Sequence, residues 1–210
     1  MKVAISDEVR IREIGEIVRR GGVIVYPTDT VYGIGGDPFK EIVVRRVFQI
    51  KRRGEKEMPL LVPSLEKAEE LAVFDENALR LARAFWPGPL TLVLKSRVGF
   101  PRELMARKET IGLRIPRHDL ALKIIEAAGG VIIGTSANIS GRPPPRSVEE
   151  LDPNIEREVD LVVDGGRTER GVPSTVVELA QGNEVPTIRV IREGAIKGEE
   201  LLSVVRGRKE

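Results

Sequence analysis

The sequence predicts an α/β fold: a single domain on a twisted mixed sheet, with parallel and antiparallel neighbours and flanking helices. Three observations carry the prediction. Apolar runs of strand length alternate with segments of helical periodicity along the 210 residues. Two pairs of strand-like runs, 90–94 with 111–115 and 174–178 with 187–191, follow one another without a helix between, which argues against a purely parallel sheet. No internal repeat and no linker divides the chain.

The elements follow in order. Ile11, Ile14 and Val18 mark an amphipathic helix over Asp7–Arg20, ended by Gly21-Gly22. A buried strand, Val23–Tyr26, runs into the polar turn Pro27-Thr28-Asp29-Thr30-Val31-Tyr32-Gly33-Ile34-Gly35-Gly36. Val43, Val44, Val47 and Phe48 share one side of a helix over Lys40–Lys51, which ends in the basic loop Lys51-Arg52-Arg53-Gly54-Glu55-Lys56. A short strand at Leu60–Val62 precedes helices at Leu65–Ala72 and Asp75–Phe85, the second stopped by Trp86-Pro87-Gly88-Pro89. Strands at Leu90–Leu94 and Ile111–Ile115 come next, then a helix over Asp119–Ala128. The strand Val131–Ile133 ends in a second polar turn, Gly134–Gly141, followed by a loop with three successive prolines, Pro143–Pro145. Leu161–Val163, Ser174–Glu178 and Thr187–Ile191 read as the last strands, with a short helix near Glu199–Val205 and a charged, frayed end.

Composition excludes several chemistries. There is no cysteine, so no disulfide, thiolate metal site or cysteine nucleophile forms. The single histidine, His118, makes a histidine-rich metal site impossible; it sits just before a helical pattern and reads as a helix-entry residue rather than a general base. Lys plus Arg number 34 against 32 Asp plus Glu, a net +2 that does not by itself imply a nucleic-acid partner. No apolar run approaches the ~20 residues of a membrane span, and the first residues lack a signal-peptide core. A soluble, cytoplasmic protein without a membrane partner is expected.

Polar clusters fall at strand ends, where ligands of open α/β sheets bind, or in the loops beside them. The first is Thr28-Asp29-Thr30 with Tyr32, and the second is Lys51-Arg52-Arg53 with Lys56. Thr110 and Arg114 lie four apart on one strand and therefore share a face. Ser136, Asn138 and Ser140 form the fourth, and Ser174-Thr175 and Arg192 add two more. Each has a bland reading: polar turns satisfying their own backbone, or cations at a helix C-terminus. Arg114 is harder to dismiss, because a guanidinium in an apolar strand needs an anionic partner. A structural acid and a substrate carboxylate both meet that need. Together the clusters suggest a site of cations and hydroxyls that handles an anion by positioning and charge neutralisation.

The motifs Pro27-Thr28-Asp29-Thr30-Val31-Tyr32-Gly33, Lys51-x-Arg53, Trp86–Thr91, Gly112–Pro116, Thr135–Gly141, Pro173–Val177 and Ile191–Gly194 occur in the order expected of the YrdC/TsaC family, which the chain resembles over residues 7–197. Residues 198–210 are then a short C-terminal tail, and the resemblance is to the short, single-domain form. It implies L-threonylcarbamoyladenylate synthesis from L-threonine, bicarbonate and ATP, with release of pyrophosphate. Mg²⁺ would accompany ATP. A threonylcarbamoyl-transferase complex then serves position 37 of tRNA as t6A.

The resemblance assigns Thr30, Tyr32, Arg114, Ser174 and Thr175 to threonine, with Arg114 gripping its carboxylate in a bidentate fork. It assigns Lys51, Arg53, Lys56, Thr110, Ser136, Asn138 and Arg192 to ATP, with Lys51 and Arg53 catalytic and no dedicated protein metal ligands. Asp29 is left open as a Mg²⁺ contact or base. The loop from Lys51 to Leu60 is about one residue longer than the family spacing, which leaves Arg53 and Lys56 competing for the nucleotide. A non-catalytic module binding tRNA or double-stranded RNA on the same fold is the alternative. A carbamoyl-adenylate enzyme of hydrogenase maturation is a distant third.

Overall fold

Period-two alternation inside the apolar runs sorts their side chains between two faces, and the fold follows from where each face is buried. The computed structural model describes residues 2–4, 8–52, 58–105, 109–180 and 187–206. The first third of the chain forms β1 (Lys2–Ala4), α1 (Glu8–Arg19), β2 (Ile24–Tyr26), β3 (Gly33–Gly35) and α2 (Glu41–Ile50). The middle forms β4 (Leu60–Leu61), α3 (Leu65–Leu71), α4 (Glu76–Phe85), β5 (Leu90–Lys95), β6 (Thr110–Arg114) and α5 (Asp119–Ala127). Then come β7 (Ile132–Ile133), β8 (Thr135–Ser136), a 3-10 turn at Val148–Glu150 and α6 (Pro153–Glu158). The last elements are β9 (Leu161–Asp164), β10 (Thr175–Ala180), β11 (Thr187–Arg192) and α7 (Gly198–Val205).

The α/β mixed architecture stands, with one correction. The strands fall into two ladders rather than one sheet: five strands in the order β1-β9-β2-β3-β8, and six in the order β11-β10-β5-β6-β4-β7. Both are mixed: β2 runs parallel to β9 and antiparallel to β3, and β5 runs parallel to β10 and antiparallel to β6. The chain passes from one ladder to the other through Gly134, between β7 and β8. The backbones also touch there, because Ile133 donates its N–H to the carbonyl of Gly36 at 3.0 Å.

That junction explains glycines taken for part of a polar turn. Residues 33–35 are a strand, paired antiparallel with β2. A Cβ on Gly35 would lie 1.8 Å from the carbonyl oxygen of Ile133, so only a residue without a side chain lets the two ladders meet. A strand this short and glycine-rich has no apolar alternation to announce it. The same holds for β8 inside the Gly134–Gly141 turn. The strand β1 and the helix α6 also lie outside the sequence reading.

Alternation then places the core. In the five-stranded sheet Ile24, Tyr26, Leu161 and Val163 pack with Ile14 and Val18 of α1 and Ile124 and Ile125 of α5. The interleaved Val25 and Val162 face the other way, joining Val43, Val44 and Val47 of α2 in the larger core. Each such side chain, once fully buried, contributes roughly 1.5–3 kcal/mol. In the six-stranded sheet Leu90, Leu92, Ile111, Leu113 and Val177 are buried against the helices. Their neighbours Thr91, Gly112, Arg114 and Val176 face a cavity instead.

Ser64, Asp75 and Asp152 cap α3, α4 and α6 by accepting a backbone N–H within the first turn. His118 caps α5, its Nδ1 accepting from the N–H of Ala121 at 3.2 Å, so it is the helix-entry residue its position suggested. The C-terminal stretch is more than a tail: α7 sends Leu201 and Val205 into the main core. Among the described residues no helix is long and apolar enough to cross a membrane.

Candidate functional site

The exposed-to-core alternation of the six-stranded sheet leaves a polar face, and that face floors a cavity of about 770 Å³. Its walls are the Thr28–Gly33 segment on one side and the Gly134–Gly141 turn on another, with Lys51 at the end of α2. The strand β6 presents Thr110, Gly112 and Arg114 together, as their spacing of two requires. On the outer edge Ile191 and Arg192 both face the cavity despite being consecutive. A register shift between β10 and β11 beside Val176 accounts for this, since a bulge re-aims one side chain.

Arg114 is 5% exposed and Asp29 1%. The guanidinium is held on three sides: Nε donates to the carbonyl of Gly88 at 2.9 Å, Nη1 to Thr30 Oγ1 at 2.9 Å, and Nη2 to Asp29 Oδ1 at 2.5 Å. The Trp86–Pro89 turn therefore has a structural task. It aims the Gly88 carbonyl at Arg114, and the backbone N–H of Gly88 returns a bond to Ile115. Burial pushes the Arg114 pKa down while Asp29 opposes that shift; arginine stays charged. The anionic partner that Arg114 requires is thus a structural acid. One N–H of each terminal nitrogen is thus taken, Nη1 by Thr30 and Nη2 by Asp29, and the fork expected for a substrate carboxylate is left the other N–H of each. Three of five N–H groups go to protein acceptors, which leaves two for a ligand. Asp29 itself lies behind Arg114 and outside the cavity lining, which removes the idea of a metal contact or base there.

The hydroxyls of Thr28 and Thr30 are 3.0 Å apart, and Thr28 Oγ1 donates to the carbonyl of Val31, which shapes this wall as a tight turn. Tyr32 lines the cavity but its hydroxyl points away. It donates to the carbonyl of Gly166 at 2.7 Å and accepts from the N–H of Gly165, and burial raises its pKa to about 12. Thr28 and Thr30 both line the cavity, and Thr30 Oγ1 accepts from Arg114 Nη1.

Lys51 is 1% exposed, and its ammonium is folded into the second polar turn. It donates to the carbonyls of Ser136 and Asn138, and Ser140 returns a backbone bond to the Lys51 carbonyl. Ser136 Oγ donates to Asn138 Oδ1, and Asn138 Nδ2 donates to the carbonyls of Ile139 and Arg142. These three residues form one bonded unit, with a buried cation at its centre. Across the cavity Arg192 Nη2 donates to the carbonyl of Ser174 at 2.9 Å and to its hydroxyl at 3.2 Å. Ser174 Oγ in turn lies 2.9 Å from Thr91 Oγ1.

Eleven of the residues singled out in the sequence line this one cavity: Thr28, Thr30, Tyr32, Lys51, Thr110, Arg114, Ser136, Asn138, Ser140, Ser174 and Arg192. Thr175 does not. It is fully buried, and its hydroxyl donates to the carbonyl of Ile196 while accepting from the N–H groups of Gly194 and Ile196. Alternation along β10 turns it away from Ser174. Arg53 and Lys56 lie outside the described residues. The sequence reading missed Thr91 as a site residue and the facing pair Glu178 and Arg189, all on the cavity wall. Thr91 carried a signal, as the polar member of Leu90-Thr91-Leu92. Among the described residues no group of three or more acidic or histidine side chains is placed to hold a metal ion.

Comparison with known proteins adds the following. The family described as "Telomere recombination" (Sua5/YciO/YrdC) matches residues 16–194. A threonylcarbamoyl-AMP synthase of Pyrococcus abyssi is 37% identical over 201 residues, 95% of this chain. The chain spans 58% of that relative's length. The structure of P. abyssi Sua5 complexed with L-threonine superposes with a TM-score of 0.88 at 36% identity, covering 97% of this chain and 60% of that one. The crystal structure of E. coli YciO gives a TM-score of 0.84 at 30% identity, covering 96% of this chain and 98% of that one.

Proposed function

The chain belongs to the Sua5/YciO/YrdC family, and from that membership we propose that it makes L-threonylcarbamoyladenylate from L-threonine, bicarbonate and ATP. The observation that carries the reading is the convergence on one cavity of two sets of residues. Thr30, Arg114 and Ser174 suit a hydroxy amino acid, and Lys51, Ser136, Asn138 and Arg192 suit a nucleotide.

In this reading the two remaining N–H groups of Arg114 take the threonine carboxylate, and Thr30 stands by its hydroxyl. The threonine amine attacks bicarbonate or CO₂ to give an N-carboxylate, with loss of water or a proton. A carboxylate oxygen then attacks the α-phosphorus of ATP in line. The new O–P bond forms as the bond to the β-phosphate oxygen breaks, and pyrophosphate leaves. Lys51 and Arg192, with Arg53 or Lys56, would neutralise the charge that builds on the departing phosphates. Such a site works by positioning and electrostatics and needs no covalent intermediate.

Mg²⁺ would enter with ATP as part of the substrate. Glu178 is the carboxylate on the described cavity wall, and so sparse a donor set fits an ion held chiefly by phosphate oxygens and water. The product is consumed by a threonylcarbamoyl-transferase complex acting on tRNA.

The test is direct. Purified protein with threonine, bicarbonate, Mg²⁺ and ATP is expected to release pyrophosphate and to yield threonylcarbamoyl-AMP by mass spectrometry. No pyrophosphate above a control lacking threonine overturns the proposal. It then favours the RNA-binding alternative, whose affinity would fall steeply with salt.

A further inference from the structure

Among the described ion pairs, Asp29–Arg114 is the one with both side chains buried, at 1% and 6% exposed. The pair is lopsided. Arg114 reaches the cavity and Asp29 does not. Asp29 Oδ1 accepts from Arg114 Nη2 and from the N–H of Arg117, and Oδ2 is buried with no hydrogen-bond partner. A buried carboxylate oxygen kept without a donor is costly unless its charge is needed where it is. Arg170 is the other cation felt by Arg114, and it lies in solvent where water screens it.

A bare guanidinium in a cavity matches phosphate as well as carboxylate, two N–H groups to two oxygens. We infer that Asp29 sets the specificity of this end of the cavity: by cancelling the Arg114 charge it leaves a wall that donates hydrogen bonds but carries no net charge. A multiply charged phosphate loses much hydration on entering and finds no charge to offset it. A free amino acid is a zwitterion, so its carboxylate arrives with its own counter-charge and takes the two remaining N–H groups. That the accepted ligand is an amino acid rests on the proposed synthase reading; the rejection of phosphate rests on the ion pair alone.

The experiment is thermal unfolding of the full chain with inorganic phosphate titrated at constant ionic strength, for the unaltered protein and Asp29→Asn. Lys51 and Arg192 are present in both, so a difference belongs to the Arg114 end. Phosphate is expected to raise the Tm of Asp29→Asn at least about threefold more than that of the unaltered protein, as a newly bound ligand does. Equal shifts overturn the inference. A variant that folds with phosphate and not without it is the same result in stronger form.

If the variant fails to fold under both conditions, competition in the unaltered protein decides. The threonine concentration giving half-maximal protection is expected to hold steady as phosphate is added, and a rise with phosphate overturns the inference. Where Asp29→Asn folds, absence of any threonine protection counts against the synthase reading alone, because the phosphate comparison between the two proteins still decides the inference.

Discussion

The Lys51 ammonium donates to the carbonyl of Asn138 at 3.0 Å, fastening the end of α2 to the turn after β8. A basic residue at a helix C-terminus would ordinarily sit in water beside the helix dipole. Here it is the buried centre of a loop whose side chains line the cavity.

Replacing Lys51 with Met keeps the stem and removes the donors. The carbonyls of Ser136 and Asn138 lose a charged partner, so a stability loss of about 1–3 kcal/mol is expected from urea unfolding. Turnover at saturating ATP should fall as well, measured by pyrophosphate release. A variant with normal turnover removes Lys51 from the phosphate role.

Arg114→Ala leaves Asp29 charged and buried without its partner, a change that costs about 3–5 kcal/mol. The protein is expected to unfold at much lower urea. Arg114→Lys keeps the charge but lacks the planar fork that meets Gly88, Thr30 and Asp29 at once. It should fold better than the alanine variant while still raising the KM for threonine far more than that for ATP. Equal effects on the two KM values would detach Arg114 from the amino-acid end.

Thr175 and Ser174 are adjacent in sequence but play different parts. The Thr175 hydroxyl makes three bonds within the Gly194–Ile196 turn, so Thr175→Val should lower stability by about 1–3 kcal/mol without altering KM values. Ser174→Ala, on the cavity wall, should do the reverse: modest destabilisation and a raised KM. A shifted threonine KM in folded Thr175→Val would return that residue to the site.

These cases show what the sequence made legible. Spacing alone put Thr110 and Arg114 on one face, and the polar clusters at strand ends and in the loops beside them brought eleven of the chosen residues to one cavity. What pattern could not reveal was direction. Thr175 belongs to the same polar pair as Ser174, and only alternation along a strand already located turns it inward. Tyr32 lies within a motif that lines the cavity, yet its hydroxyl is bonded to residues more than 130 positions away. The partner of Arg114 was undecided for the same reason, because Asp29 lies 85 positions earlier in the chain. Strands of two or three residues such as β3 and β8 carry too few side chains for a period to appear.

Gly35→Ala tests the junction of the two ladders. The new methyl would sit 1.8 Å from the Ile133 carbonyl oxygen, which is backbone and has no rotamer to retreat into. Overpacking of this kind costs about 3 kcal/mol or more, and the expected result is failure to reach the unaltered protein's Tm by a wide margin. Gly129→Ala is the control: its φ of +108° strains any side chain, but no atom lies within 4 Å of the new methyl. A Gly35 variant no worse than the Gly129 variant would mean that the ladders can part without cost.

His118 gives the fold a pH dependence of predictable sign. Its Nδ1 caps α5 by accepting from Ala121, which requires that nitrogen to be unprotonated. Burial lowers its pKa below the ordinary 6.5, against the opposing pull of Asp29 and Asp119. The folded protein therefore binds the proton less readily than the unfolded chain. The cap's contribution is fully present above pH 6.5 and is lost as pH falls below that value toward the depressed folded pKa. Urea midpoints measured from pH 8 down to 5 should show a loss that His118→Asn abolishes, since asparagine caps without titrating in this range. An unchanged pH profile in His118→Asn would show that other groups govern the loss.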